Sequence, residues 1–219
     1  MTSIKQNCYR LLRLVNNIID MNKIDYGYYD IELGNYNIVS VVEDITMSVL
    51  EYIKNKGIEL IFDTDTEEEI IACDPDKIER IILNLLSNAI KYTRPDGKII
   101  VNINSDKENV YISVKDTGIG MPKQKLNKIF NRYEQIDNKL TKSFNGSGIG
   151  LSLVKSLVEL HGGVVYLEKN VEQGCEFVIK LPNKILDESK NEEIKSIDID
   201  NKPLIQKVNI EFSDIYELY

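Results

Sequence analysis

The chain has 219 residues, of which 42% are hydrophobic and 28% charged, and its formal net charge is −8 at pH 7. This length allows one or two domains with a proper core, and the negative charge argues against nucleic acid as the main partner. An apolar run of about 18 residues and a signal-peptide pattern are both missing, which argues against membrane contact by this chain.

The first predicted element is an amphipathic helix over residues 4–23. Apolar residues recur there, mostly three or four positions apart: Ile4, Cys8, Leu11, Leu12, Val15, Ile18 and Ile19. A stripe this wide predicts a helical partner, and the next segment is not another long helix. We therefore expect one half of a hairpin that dimerises or whose first helix precedes this chain. A helix folded onto its own domain is the alternative.

The following segments alternate between strand and helix patterns. We predict a link with a short strand over residues 26–38, helices over 41–56, 74–93, 123–136 and 147–161, and strands over 58–64, 70–73, 98–105, 110–115, 164–169 and 177–181. A polar, irregular loop covers residues 137–145. This order predicts a mixed sheet covered by helices on one face, an α+β fold of the α/β-sandwich type preceded by one long helix.

The tail beyond Pro182 loses this periodicity. Residues 187–219 contain nine Asp or Glu and four Lys, so this segment carries −5 of the net charge. We expect it to be poorly ordered, with an edge strand at residues 208–212 as the alternative. Cys8, Cys73 and Cys175 are odd in number and far apart, which predicts a reduced, cytoplasmic chain.

The helix over residues 74–93 carries two polar amides in its middle. Arg80, Asn84, Asn88 and Lys91 share one face, while Ile78, Ile82, Leu85 and Ala89 form an apolar face. Asparagine in mid-helix lowers helix propensity without adding apolar burial. Amide oxygens one turn apart, beside a cation, suit a hydrated Mg²⁺ ion and its phosphates. An ordinary solvated face is the alternative.

Two glycine-containing motifs follow this helix. Asp116-Thr-Gly-Ile-Gly120 comes directly after a predicted strand, where the carboxylate could accept a hydrogen bond from an exocyclic amine; a turn capped by the aspartate is the alternative. Gly146-Ser-Gly-Ile-Gly-Leu151 opens a helix, whose free N–H groups favour phosphate. The second motif lacks the third glycine and preceding strand of a dinucleotide fingerprint, and it lacks a P-loop lysine.

Four motifs in this order resemble those of sensor histidine kinases. Asn84-Leu-Leu-Ser-Asn88-Ala-Ile-Lys-Tyr-Thr93 resembles the asparagine box, Ile129-Phe-Asn-Arg-Tyr-Glu-Gln135 the phenylalanine box, and the two glycine motifs the first and second glycine boxes. The resemblance covers residues 4–182. It implies the Bergerat-type ATP-binding fold over residues 29–183, preceded over residues 1–28 by the second helix of the dimerisation hairpin and followed by an acidic tail over residues 184–219.

The resemblance also implies roles for individual residues. Asn88 would supply the oxygen ligand to Mg²⁺, Asn84 would order water near the phosphates, and Lys91 and Tyr92 would contact phosphate and nucleotide. Asp116 would accept the adenine amine, with Gly118 and Gly120 giving clearance. Residues 137–145 would form the ATP lid, which would be closed by Gly146, Ser147, Gly148, Gly150 and Leu151. Phe130, with Arg132 or Gln135, would lie where the lid meets the dimerisation helix. Gln173-Gly174-Cys175 is assigned only a turn.

The function implied is transfer of the ATP γ-phosphoryl group to a histidine outside this chain, and then to an aspartate of a response regulator. The only histidine, His161, is expected to cap a helix end, so the chain should not phosphorylate itself. The expected partners are a response-regulator receiver domain and a second copy bound through the N-terminal helix. A nucleotide-binding module without catalysis is one alternative, and a gyrase-like ATPase, which has glutamate where Asn84 stands, is another.

Overall fold

Six α-helices and seven strands make up the part of the chain that the computed structural model describes, residues 2–122, 125–126, 128–134, 148–168, 173–187 and 201–214. In chain order they are α1 (Thr2–Asp25), β1 (Gly34–Asn37), α2 (Ile38–Ser48), α3 (Leu50–Asn55), β2 (Glu59–Thr64), β3 (Ile70–Cys73), α4 (Pro75–Tyr92), β4 (Lys98–Ser105), β5 (Asn109–Asp116), α5 (Gly150–Leu160), β6 (Val164–Leu167), β7 (Cys175–Pro182) and α6 (Asn201–Glu211). A 3₁₀ turn over Phe212–Asp214 follows α6. None of these helices is both long and apolar enough to cross a membrane.

The main sheet is mixed, as predicted. Its strand order is β2-β4-β5-β7-β6, with β2 parallel to β4 and the other pairs antiparallel. Alternate residues of β4 and β5 are buried, because one face of an antiparallel sheet is covered while the other remains more accessible. Strands β1 and β3 form a separate two-stranded sheet. The α+β class and the long N-terminal helix are therefore confirmed.

Helix α4 is the central helix of the covering layer and packs against α2, α5 and α6. It begins where the sequence predicts, because the Asp74 side chain accepts a hydrogen bond from the Lys77 N–H at 3.2 Å and Pro75 occupies the first turn. The apolar face predicted for this helix is buried: Ile78, Ile82, Leu85 and Ala89. Burial of this face fixes the rotation of α4 about its axis, and so determines the side of the helix on which the asparagines lie.

Two predicted helices differ from the structure. The helix predicted over residues 41–56 starts earlier and breaks at Val49. Just before the break, the Ser48 hydroxyl donates to the Ile45 carbonyl at 2.6 Å, competing with the backbone ladder. The helix predicted over residues 123–136 is wrong for its described part, which forms turns joined by hydrogen bonds between residues three apart. Tyr133 lies there at φ 61°, a left-handed conformation that an α-helix cannot include.

The tail differs from its prediction over residues 201–214, which form α6 and a 3₁₀ turn and not a poorly ordered segment or an edge strand. The rest of the tail, residues 188–200 and 215–219, lies outside the described residues. Leu204, Val208 and Phe212 are spaced four apart, so they share one face, and all three are buried. That face contacts α1, α2 and α4. Before α6, the chain passes the small sheet, where the Ala72 N–H donates to the Lys184 carbonyl at 2.7 Å.

Helix α1 presents its polar side to the protein and its apolar side to solvent. Arg13, Asn17 and Met21 are buried, and the helix contacts α5 and α6. The apolar side chains predicted to seek a helical partner are exposed: Ile4, Leu11, Leu12, Val15, Ile18 and Ile19. The structure thus confirms the helix and leaves its apolar stripe unpaired within the described residues.

Candidate nucleotide site

The paired asparagines lie against the start of α5. Asn84 is 5% exposed, and its Oδ1 accepts a hydrogen bond from Asn88 Nδ2 at 3.4 Å. A Cβ atom at Gly150, the first residue of α5, would be 2.8 Å from Asn84 Nδ2, so a larger residue there would displace the Asn84 side chain. The fold therefore places two side-chain amides beside a helix N-terminus, the part of a helix that favours anions.

The cations predicted on the same face of α4 diverge. Arg80 turns toward α1, where its Nη2 donates to Asn17 Oδ1 at 2.8 Å and its guanidinium pairs with Asp20. Lys91 is 7% exposed and its Nζ lies 5.4 Å from the centre of the Tyr92 ring. Burial, with smaller effects from Arg13 and Arg10, lowers the pKa of Lys91 to about 8. Lys91 therefore remains mostly protonated at pH 7.

Asp116 ends β5 at the opposite side of the site. It is 5% exposed, and its Oδ1 accepts a hydrogen bond from the Gly118 N–H at 2.8 Å. Burial raises the pKa of Asp116 to about 6, against the opposing effect of backbone hydrogen bonds from Gly118 and Cys175. Near pH 7 the side chain is thus a buried carboxylate that is well suited to accept a further hydrogen bond.

Three glycines make room around Asp116. A Cβ at Gly118 would lie 2.4 Å from the Tyr92 carbonyl oxygen, and one at Gly174 would lie 1.8 Å from the Asp116 carbonyl oxygen. Gly120 and Gly174 have φ of 69° and 81°. Gly174 belongs to the segment that the sequence assigned only a turn. Its sequence signal, a glycine just before the last strand, does not by itself reveal the contact with Asp116.

The second glycine box meets the phenylalanine box. The Tyr133 N–H donates to the Gly148 carbonyl at 2.9 Å, and a Cβ at Gly148 would lie 2.8 Å from the Tyr133 carbonyl carbon. Leu151 is half-buried and packs on the core. Gly146, Ser147, Gln135 and the predicted lid, residues 137–145, lie outside the described residues, so their roles stay predictions.

The phenylalanine box contacts both the sheet and α1. Phe130 packs edge-on against Phe177 of β7, with ring centres 6.2 Å apart. Arg132 forms a two-pronged ion pair with Asp25 at the end of α1, and its Nη1 donates to Asp25 Oδ2 at 2.5 Å. The hydrogen bond from Arg132 lowers the pKa of Asp25. This segment therefore connects the region beside the second glycine box with the N-terminal helix.

His161 serves the fold, away from the asparagine pair. Its Nε2 accepts a hydrogen bond from the Asp74 N–H at 3.1 Å, and its Nδ1 is 2.8 Å from the Leu157 carbonyl oxygen. These partners require a neutral ring protonated on Nδ1, and burial lowers the pKa of His161 accordingly. The imidazole joins the end of α5 to the start of α4.

Among the described residues, no group of three or more His, Cys, Asp or Glu could hold a metal ion. An ion beside α4 could use an amide oxygen, water and the ligand's own phosphates. Mg²⁺ accepts that combination, because it keeps several waters and prefers oxygen. The half-buried Asn88 fits this requirement.

Comparison with known proteins identifies the family. Residues 73–185, slightly more than half of the chain, match the family model "Histidine kinase-, DNA gyrase B-, and HSP90-like ATPase". The chain belongs to this family. Within it, the chain is 31% identical over 178 residues to the circadian input-output histidine kinase CikA of Synechococcus elongatus, covering 80% of this chain and 24% of CikA. The chain thus spans about a quarter of that relative.

Solved structures of histidine kinases share the fold. The catalytic domain of histidine kinase ThkA superposes with a TM-score of 0.63 at 27% identity, covering 70% of this chain and 99% of that domain. The complex of ThkA with the response regulator TrrA superposes with a TM-score of 0.64 at 25% identity, covering 80% of this chain and 48% of that chain. Full-length ShkA in complex with AMPPNP superposes with a TM-score of 0.73 at 26% identity, covering 83% of this chain and 37% of ShkA. The described fold is therefore that of histidine kinase catalytic domains.

Proposed function

We propose that this chain binds Mg²⁺·ATP and is the catalytic portion of a histidine kinase, which transfers the γ-phosphoryl group to a histidine outside the chain and then to a response-regulator aspartate. One observation carries the proposal. The Asn84–Asn88 pair lies on α4, and the buried carboxylate of Asp116 ends β5, a strand that packs against α4, in a chain of this ATPase family.

Asp116 would select adenine, because a carboxylate accepts a hydrogen bond from the exocyclic amine of adenine. Guanine carries an oxygen at the corresponding position and would be repelled. Gly118, Gly120 and Gly174 keep space around that carboxylate, since side chains at the first and last would collide with backbone oxygens. Tyr92 would contact the nucleotide beside them. Specificity therefore rests on one buried charge and the clearance around it.

At the phosphate end, Asn88 would supply an oxygen to Mg²⁺, and Asn84, Lys91 and the first N–H groups of α5 would face the phosphates. The metal would neutralise phosphate charge. Phosphoryl transfer depends mainly on such positioning and charge stabilisation. Gly146, Ser147, Gly148, Gly150 and Leu151 would close the lid over the phosphates, with Phe130 supporting it from the sheet.

The partners we propose follow the same logic. A receiver domain of a response regulator would take the phosphoryl group, in line with the ThkA–TrrA complex. A second copy would pair along the exposed apolar side of α1. We assign residues 1–28 to the dimerisation hairpin, 29–183 to the catalytic domain and 184–219 to the tail, in a protein whose catalytic portion works in the cytoplasm.

Titration calorimetry of the full chain tests the binding step, with ATP and GTP, each with and without Mg²⁺. We expect ATP to bind tighter than millimolar only with Mg²⁺, and GTP to bind far more weakly. Equal affinity for the two nucleotides would refute the adenine assignment. The catalytic step needs a second assay, in which a histidine-bearing hairpin is added with γ-labelled ATP. Selective binding without any transfer would leave only a nucleotide-binding module.

A further inference from the structure

Helix α6 is anchored in the groove between α1 and α4. Phe212, directly after the helix, is fully buried and its ring centre lies 5.4 Å from that of Tyr52. The Tyr52 hydroxyl donates to Asn209 Oδ1 at 2.9 Å. Lys207 pairs with Asp76 at 3.0 Å and with Glu79 at 2.9 Å. These contacts fix the last residue of α6, Glu211, above the asparagine face of α4.

The Glu211 carboxylate contacts an amide donor and lies near a guanidinium group. Its Oε1 accepts a hydrogen bond from Asn84 Nδ2 at 3.1 Å and lies 3.9 Å from Arg13 Nη1. Burial raises the pKa of the Glu211 carboxyl, and the charges of Arg13 and Arg80 and the hydrogen bond from Asn84 oppose that rise. Its backbone oxygen accepts from Arg13 Nη1 at 2.6 Å and from the Ser87 hydroxyl at 3.3 Å. The side chain is only 13% exposed.

This arrangement is costly if its purpose is packing alone. A buried carboxylate loses its hydration, and an apolar or amide side chain would fill the same space at lower cost. A surface pocket of about 350 Å³ lies beside α6, with Arg13, Arg80 and Glu211 in its lining. A carboxylate in this position therefore suggests a role that depends on the groups it contacts, above all the Asn84 amide.

Both ends of the Asn84 amide hold a partner while α6 is docked. Its Nδ2 donates to Glu211, and its Oδ1 accepts from Asn88. A carboxylate oxygen and a phosphate oxygen are both anionic acceptors and attract the same donors. A terminal phosphate that used Asn84 would therefore meet the Glu211 carboxylate at the same amide, and the two negative charges would repel each other.

We propose that α6 is an intramolecular competitor of the nucleotide's terminal phosphate, with the Glu211 carboxylate standing where a phosphate oxygen would bind. This inference rests on the proposed function, because it assigns Asn84 to the phosphate end. Mg²⁺·ATP then binds in full only when α6 leaves the groove. The nucleoside part of the ligand would contact Asp116, whose carboxylate accepts hydrogen bonds from the backbone of Gly118 and Cys175, so adenosine binding should be independent of the helix.

Three full-length variants separate this mechanism from a structural role. Glu211→Ala removes the competing carboxylate and leaves the apolar anchors in place. Val208→Asp keeps Glu211 and releases the helix by burying a charge in its docking face. Ile205→Ala is the matched control, because Ile205 belongs to the same helix and is 56% exposed. Thermal unfolding followed by circular dichroism establishes that each variant is folded.

Calorimetry with Mg²⁺·ATP and with adenosine is the measurement. We expect Glu211→Ala and Val208→Asp to bind Mg²⁺·ATP about tenfold tighter than the unmodified chain, since affinity scales with the fraction of competent molecules. Adenosine affinity should not change, and Ile205→Ala should match the unmodified chain for both ligands. A synthetic peptide of residues 201–214, added to the Val208→Asp variant, should weaken Mg²⁺·ATP binding again.

Hydrogen exchange provides an independent reading. Saturating Mg²⁺·ATP should speed amide exchange of residues 204–212 in the unmodified chain, because bound nucleotide displaces α6. Equal or weaker Mg²⁺·ATP binding by Glu211→Ala, or unchanged exchange in α6, would overturn the inference and leave the proposed function intact. If neither the unmodified chain nor any variant bound Mg²⁺·ATP, the proposed function would fail, and the inference with it.

Discussion

Replacing Asp116 by asparagine should make the unliganded fold more stable at pH 7 while weakening adenine recognition. The substitution keeps the shape of the side chain, and the asparagine Oδ1 can still accept from the Gly118 N–H, which lies 2.8 Å from Asp116 Oδ1. It removes a negative charge from a site that is 5% exposed. It also replaces one acceptor oxygen by an NH₂ group, which presents a donor toward the donor amine of adenine.

The magnitude follows from the pKa of Asp116, which burial raises from 3.8 to about 6. At about 1.4 kcal/mol per pKa unit, ionising this group costs the folded state on the order of 3 kcal/mol. The unfolded chain releases its proton first, so the folded state binds more protons between these two pH values. Stability therefore falls as pH rises from about 4 to 6, and Asp116→Asn should lack this fall.

Two assays test both consequences. Denaturant unfolding at pH 7 should show Asp116→Asn to be more stable by about 1–3 kcal/mol, whereas Asp30→Asn, at an exposed position, should be neutral. Adenosine, which has no phosphate to titrate, should bind less well to the unmodified chain as pH falls through 6 and Asp116 takes up a proton. Asp116→Asn should bind it more weakly by about 1.5–3 kcal/mol. Unchanged adenosine affinity in this variant would refute the assignment of Asp116 to adenine.

Three further predictions concern the surroundings of the site and its histidine. Gly174→Ala should destabilise the fold by about 3 kcal/mol or more, because its Cβ would be 1.8 Å from the Asp116 carbonyl oxygen; Gly27→Ala, at φ 69° with open space around it, should cost only about 1 kcal/mol in the same unfolding assay. His161→Ala should cost about 3 kcal/mol by leaving a buried backbone N–H without a partner. It should also abolish a rise of stability with pH near 6.5, since the folded chain lowers the pKa of His161 and the unfolded chain binds the extra proton below that pH. With γ-labelled ATP, the unmodified chain should acquire no acid-labile label at His161, because that ring joins α4 to α5; a label lost in His161→Ala would contradict this.

Local signals made much of the fold predictable. Asp74 and Pro75 mark the start of α4, and apolar residues at every second position mark β4 and β5. The turns after Pro122 were not predicted, because their residue spacing suits a helix although their backbone hydrogen bonds join residues three apart and Tyr133 adopts a left-handed conformation. Helix α6 was not predicted for another reason. The buried side chains that hold it, Leu204, Val208 and the following Phe212, are stabilised by contacts with α1, α2 and α4, which the local sequence pattern does not reveal.

The site was predictable to a similar extent. The asparagine pair and Asp116 stand out as residue types that are unusual in their positions, so the sequence alone identifies them as candidates. Gly174 does not stand out, because the contact that requires a glycine there is with a backbone oxygen of β5, a strand that is far away in the sequence. Arg80 was grouped with the asparagines by helical spacing, but its long side chain reaches α1 instead. Spacing determines the face on which a side chain begins, and its tertiary partners determine where it ends.

The inverted burial of α1 has a consequence in mass action. Leu11, Leu12 and Val15 of this helix are exposed, so covering them with another apolar surface would be energetically favourable. Any species that binds only the folded chain raises its apparent stability, and the second copy that we propose as a partner would be such a species. The melting temperature of this protein should therefore rise with its own concentration, so that a single stability value has meaning only together with the amount of protein in the tube.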